Sequence, residues 1–306
     1  MEKKKNNIKK YVAIILLIVV LLSVAVYIKN KTQVQIELTQ ISSDTGNRMM
    51  GYVIRTYDNK TVVIDGGLRA DSTKLLNKIK EYGNDVDYWI ITHPHQDHAG
   101  AFNDIIENHN SELNIKELIY TANDVEWYKN TSEASRAGEI EEFYKSLEDE
   151  KIKSIKREPQ IGENIEISPN INIEILGIKN PEITENSINN SSMVFKMYVN
   201  NTSILFLGDT GTESSEKLIK TYGNKLKSDI VQIAHHGQAG GTEELYKLID
   251  PEICLWPTPE WLWDNNSGGG YNSGTWKTLE TRKWIEELGV KTNYIAKDGN
   301  ITITIK

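Results

Sequence analysis

Six residues restrict this chain more than any other stretch. The apolar run Tyr88-Trp-Ile-Ile-Thr92 leads directly into His93-Pro94-His95-Gln96-Asp97-His98, followed by Ala99-Gly100. His93 and His95 alternate as on a strand, so their side chains share a face. Asp97 and His98 then fall on the turn that opens a helix, aimed at a second position close by. A run of solvated surface histidines is the competing reading, but half of the chain's six histidines fall here, beside an apolar strand. Imidazoles and a carboxylate at this density suit zinc, and the donor set also admits manganese or iron. The lone Cys254 excludes an internal disulfide and a Cys-rich zinc site.

Around that segment the chain alternates strands and helices. Gln35 to Ile41, Tyr52 to Thr56 and Thr61 to Ile64 are short β-branched runs joined by turn residues, the pattern of an antiparallel start to a sheet. Asp71 to Tyr82 has helical spacing at Leu75, Leu76 and Ile79, and a helix-like stretch runs from Ala101 to Asn108. Glu133 to Glu150 is polar and acidic and reads as an exposed helix. Strand patterns return at Ile165 to Ile178 and at Met193 to Leu207, the latter divided by an Asn200-Asn201 turn. Helices are expected at Thr212 to Tyr222, Thr242 to Ile249 and Trp276 to Leu288. Strands are expected at Asp229 to Ile233, Ile253 to Trp256 and, closing the chain, Ile301 to Ile305. The fold class is therefore α/β, one domain of strands sandwiched between helices.

The His93–His98 segment has the HxHxDH form found in the metallo-β-lactamase fold superfamily, and the order of the other motifs resembles that family too. Val62-Val63-Ile64-Asp65-Gly66-Gly67 looks like its first motif, Ile204-Leu-Phe-Leu-Gly208-Asp209 like the strand ending in its bridging aspartate, and Asp229 to Gly237 like the strand that delivers its last histidine. The match runs from about Gln35 to the C-terminus. It implies a four-layer αββα sandwich. By this resemblance His93 and His95 bind a first metal, Asp97 and His98 a second, and Asp209 bridges the two, while Asp65 buttresses the metal loop. One of His235 and His236 completes the second site, with His236 the favoured ligand and His235 left to orient it or to contact substrate. Asp97 and His235 are the candidate catalytic groups. A hydroxide between two cations ~3.5–4 Å apart would then be the nucleophile.

One family position departs. Many members place a further histidine on the first metal, yet no histidine lies here between His109 and His235. The region reads Asn189-Asn190-Ser191-Ser192-Met193 instead, a variant that resembles the soluble hydrolase domain of ComEC-type DNA-uptake channels. Asn190 or Ser192 is expected near the first metal, directly or through water, so occupancy is one or two ions. After the strand at Ile253 to Trp256, a Gly-rich loop holds Trp261, Trp263, Tyr271 and Trp276. Trp261, Trp263 and Tyr271 are candidates for lining a substrate, by stacking or by enclosing a quaternary ammonium through cation–π attraction. Glu260 and Asp264 would favour a cationic group there.

The first thirty-one residues are a separate object. Five lysines precede an apolar run from Tyr11 to Ile28, closed by Lys29 and Lys31. Eighteen helical residues rise about 27 Å, close to the thickness of a bilayer core. The expected organisation is thus a cytoplasmic tail and single-pass anchor over residues 1–31 and a hydrolase domain over 32–306 on the outer face. A cleaved secretory signal, with Ser23-Val24-Ala25 as its processing site, is the alternative. Residues 1–31 hold seven lysines and one acid, which leaves 28 basic and 42 acidic residues, a formal charge of −14, beyond them. Such a balance disfavours nucleic acid as a partner without excluding it. The function that the resemblance implies is metal-dependent hydrolysis, of phosphate esters of the phosphodiester or phosphorylcholine type, and the N-terminal segment places it outside the cytoplasm. A non-catalytic metal-stabilised binding or sensory module, or a β-lactam or lactone hydrolase, is the alternative.

Overall fold

The computed structural model describes residues 11–12, 14–23 and 33–306. Two seven-stranded sheets make up the body. The first runs, edge to edge, Ile301–Ile305, Ile36–Gln40, Gly51–Thr56, Thr61–Asp65, Tyr88–Ile91, Leu118–Tyr120 and Lys156–Arg157. The second runs Thr292–Ile295, Ile253–Trp256, Ile230–Gln232, Thr202–Phe206, Val194–Val199, Ile171–Gly177 and Asn164–Ser168. The closing strand pairs antiparallel with the first one, Ile36 opposite Ile305, so both ends of the body lock into one sheet.

Alternation along the strands builds the layer between the sheets. Leu38, Tyr52, Ile54, Val62, Ile64 and Ile90 point inward from the first sheet, and Ile171, Ile173, Ile175, Phe195, Met197, Ile204 and Phe206 from the second. Phe195 and Phe206 face each other across a strand pair and stack at 5.0 Å, and Tyr52 of the opposite sheet meets Phe206 edge-on at 5.4 Å. Helices Ser72–Lys80, Gln96–Asn108 and Ala137–Leu147 cover the outer face of the first sheet. Helices Thr212–Tyr222, Glu243–Ile249 and Thr278–Glu287 cover the second. The layering is αββα, as the resemblance implied.

Several elements differ from expectation. Ile165–Ile178 is two strands, because Asn170 takes a left-handed turn at φ 63°. The polar stretch after Glu133 breaks at Arg136, and its main helix is not exposed: Ala137, Ile140, Phe143 and Leu147 form a buried stripe. The helix placed at Ala101 begins at Gln96, which puts Asp97 and His98 in its first turn. Of the expected membrane span, residues 11–12 and 14–23 are helical with exposed side chains, while residues 13 and 24–28 lie outside the described residues. Among the described residues no helix is long and apolar enough to cross a membrane.

Strands Thr61–Asp65, Tyr88–Ile91 and Leu118–Tyr120 are parallel in one sheet, and Thr202–Phe206, Ile230–Gln232 and Ile253–Trp256 are parallel in the other. Their C-terminal ends meet at one edge of the sandwich, the usual place for a site in parallel sheets. Truncating the ring that ties the sheets together should be costly. Phe206→Ala is expected to lose about 3–5 kcal/mol of stability, read as a lowered midpoint in urea unfolding. A loss under about 1 kcal/mol would mean the two sheets are not held by this layer.

Candidate metal centre

Asp65 ends the strand Thr61–Asp65 in a left-handed conformation, φ 52°, and is fully buried. Its Oδ1 accepts from the Thr92 backbone at 2.7 Å, and its Oδ2 accepts from Thr92 Oγ1 at 2.7 Å and from His98 Nδ1 at 2.8 Å. That fixes the start of the His93–His98 turn and leaves His98 Nε2 as the outward nitrogen. His93 is aligned from the other sheet, its Nδ1 lying 3.3 Å from Ser192 Oγ, which also accepts from the backbone of Asp209.

Gln232 ties the remaining loops together. Its Oε1 accepts from the backbone of Leu207 and Gly208, and its Nε2 donates to the carbonyls of Gly208 and Ile233. His235 and His236 follow, both left-handed at φ 49° and 53°. Such strain persists only where neighbours over-determine it. Here Thr258 Oγ1 donates to the His236 carbonyl at 2.8 Å, and His236 Nδ1 donates to the Pro257 carbonyl at 2.6 Å. The second bond turns His236 Nε2 toward the carboxylates.

The result is two buried donor groups, His93, His95 and Asp209 in one and Asp97, His98 and His236 in the other. Asp209 borders both. Its Oδ2 is 3.9 Å from His93 Nε2, 3.6 Å from His236 Nε2 and 3.8 Å from His235 Nε2, and its Oδ1 is 3.1 Å from His98 Nε2. Asp97 Oδ2 lies 3.4 Å from His236 Nε2. His98 Nε2, His236 Nε2 and Asp209 Oδ1 are buried without a hydrogen-bond partner. Orphaned polar atoms of that kind require an explanation. Donors on one tetrahedral ion at bonds of about 2.0–2.2 Å stand about 3.3–3.6 Å apart, so the spacing and donor chemistry fit metal ions.

Electrostatics agree. Burial opposes ionisation of Asp209, but the His98, His236 and His235 imidazoles outweigh it and hold the carboxyl well below the usual carboxylate range. Burial likewise opposes Asp97, which His236, His98 and Arg48 hold low. For His98, burial is outweighed by Asp209 and Asp65, and its pKa is raised well above the ordinary value. His93 is pushed the other way by burial and by His98. The two carboxylates thus create a potential that favours positive charge in this space.

The other expected residues fall differently. His235 sits beside Asp209 and Asn189, outside both donor groups. Asn190 does not face the first group: its Oδ1 accepts from Ser214 and its Nδ2 donates to Glu213 and to the Glu185 carbonyl, so it braces the helix Thr212–Tyr222. Asn189 is the neighbour that points inward, with a buried, unpartnered Oδ1. The aromatic box does not form. Trp261 pairs with Trp276 at 4.9 Å and donates to the Gly46 carbonyl, whereas Trp263 packs on Trp256 at 5.2 Å beneath the Arg282 guanidinium. Tyr271 is 68% exposed. Glu260 lines a hollow on one side of Trp261, but the cavity on its metal side carries Arg48 and Arg136. Sequence reasoning missed Glu133, whose Oε1 stands 3.6 Å from His95 Nε2, and both arginines. Glu133 and Arg48 in irregular segments and Arg136 at the end of a single 3₁₀ turn leave no periodic signal.

Residues 51–255 match the Metallo-beta-lactamase superfamily. The chain belongs to that superfamily. It is similar to ComE operon protein 3 of Bacillus subtilis, 26% identical over 171 residues, which is 56% of this chain but 20% of that relative's length. Among solved structures it resembles the metallo-beta-lactamase fold protein YhfI from Bacillus subtilis, with a TM-score of 0.54, 13% identity, and coverage of 88% of this chain and all of that one. It also resembles CmlA, a diiron beta-hydroxylase from Streptomyces venezuelae, with a TM-score of 0.52, 11% identity, and coverage of 88% and 54% of the two chains. With this donor set, the chain is a metal-dependent hydrolase of the superfamily.

Asp65→Asn keeps the volume but loses the acceptor for His98 Nδ1, so metal affinity should fall about 10–100-fold in chelator competition. Asn190→Ala should lower the unfolding midpoint and leave metal affinity nearly unchanged. The reverse pattern would restore Asn190 to the metal site.

Proposed function

We propose that this chain hydrolyses phosphate esters, with zinc as its resident metal, on the outer face of a membrane to which residues 11–28 anchor it. The observation that carries the substrate class is Asp209 standing between the two donor groups, an arrangement suited to in-line displacement at phosphorus. Zinc is favoured by the imidazole-rich donor set, and iron is the competing ion, CmlA being a diiron enzyme. The anchor rests on the lysine-flanked apolar run and on the exposed apolar side chains of its described part. The acidic remainder of the chain speaks for a small or surface-borne ester rather than duplex nucleic acid.

When bound, the metal ions would activate water and stabilise charge on the attacked group. The side chains do the rest. His93, His95, Asp97, His98, Asp209 and His236 hold the centre, and Asp65, Ser192 and the Pro257 carbonyl keep their rings turned inward. Asp97, kept ionised, is placed to accept the proton of the attacking water at Oδ2. His235 is the most exposed imidazole of the site and is placed to meet the substrate.

The test is turnover of bis(p-nitrophenyl) phosphate beside nitrocefin and a lactone. The metal-loaded protein is expected to cleave the phosphodiester, and Asp97→Ala to lower kcat/KM by about 10²–10⁴-fold. Nitrocefin or lactone opening without phosphodiester cleavage would replace this substrate class. A metal-loaded protein inert toward all three would point to a binding or sensory module.

A further inference from the structure

A cavity of about 400 Å³ opens beside the metal centre, lined by Arg48, Gln96, Asp97, Arg136, Trp261 and Trp276. It gathers two of the chain's six arginines, from segments far apart in sequence, in a protein whose overall charge is −8. Arg48 reaches it from the loop before the strand Gly51–Thr56, and that loop is pinned to the metal turn by a hydrogen bond from the Met50 backbone to the Asp97 carbonyl at 3.0 Å. Its Nε is 3.3 Å from Asp97 Oδ2, the same oxygen that His236 Nε2 approaches at 3.4 Å. Arg136 is held by Glu139 through Nε at 2.8 Å and Nη2 at 3.1 Å. The Trp261–Trp276 pair forms the wall beyond them.

A guanidinium held this close to a donor group for cations is repelled once a cation is there, unless negative charge stands between them. Asp97 alone would have to serve both. A phosphoryl group lying between the metal centre and the arginines relieves the conflict, and the planar guanidinium fork matches its oxygens two at a time. From this geometry we infer that Arg48 and Arg136 form an anion clamp for the phosphoryl oxygens of the substrate, with Trp261 and Trp276 receiving the group esterified to it. The inference deepens the phosphate-ester reading and rests on it for the identity of the anion. Arg48 pairs with Asp97 of the metal centre at 3.3 Å, whereas Arg136 pairs with Glu139 outside it, so Arg48 is the member whose partner changes when the centre is occupied.

The test uses the full chain loaded with zinc, with inorganic phosphate as the probe in calorimetry and as a competitive inhibitor of phosphodiester cleavage. Arg48→Ala should weaken phosphate binding and raise KM at least about tenfold, with metal content unchanged. Arg48→Lys, which keeps the charge and loses the fork, should recover part of the loss and shows that the site is still folded. Phosphate affinity and KM unchanged in Arg48→Ala would overturn the clamp while leaving the hydrolase reading intact. If the wild-type protein cleaves no phosphodiester, that reading fails, and calorimetry still decides the clamp: phosphate binding that depends on Arg48 supports it, and binding indifferent to Arg48 overturns it.

Discussion

Asp209 is a carboxylate with almost no exposure, and the interior tolerates such a charge only where opposite charge or strong donors surround it. Its surroundings come from both sheets. His93 and His98 arrive from the end of Tyr88–Ile91, and His235 and His236 from the end of Ile230–Gln232. The two sheets must therefore stack in one register, with their parallel strands ending at the same edge. The aromatic and isoleucine layer between them serves that alignment as much as stability.

Rigidity around the carboxylates is concentrated in a few strained or buried polar residues. Asp65, His235 and His236 all take left-handed backbone; the hydrogen bonds of Asp65 and His236 also orient a ring, while the His235 backbone N–H donates to the Gly208 carbonyl. Gln232 spends all of its visible bonding on holding the Asp209 loop to the histidine loop. Strain kept this way is consistent with a centre whose donors are placed before any ion or substrate arrives.

How much of this could be read from residue order follows from how local each feature is. The His93–His98 turn was legible because its donors are contiguous and follow an apolar strand, and the four-layer order was implied by the resemblance of the ordered motifs to the metallo-β-lactamase superfamily. Asn190 misled because Ser187–Asn190 is a single helical turn, where adjacent residues point about 100° apart, so the inward neighbour is Asn189. The same rule undoes the aromatic box. Glu260–Trp263 is a helical turn, and residues two apart face nearly opposite ways, which sends Trp261 to the cavity and Trp263 to the core. Arg48, Arg136 and Glu133 reach the centre only through the tertiary fold, and no local pattern announces them.

The central claim is that Asp209 sits between two sites that each take a cation. The most direct measurement is metal content per chain by elemental analysis, for the wild-type protein and for Asp209→Ala, after dialysis against zinc. The account expects close to two ions per wild-type chain, and fewer, more weakly held ions in the variant. Two tight ions in both proteins, or none in the wild type under any loading condition, would contradict it.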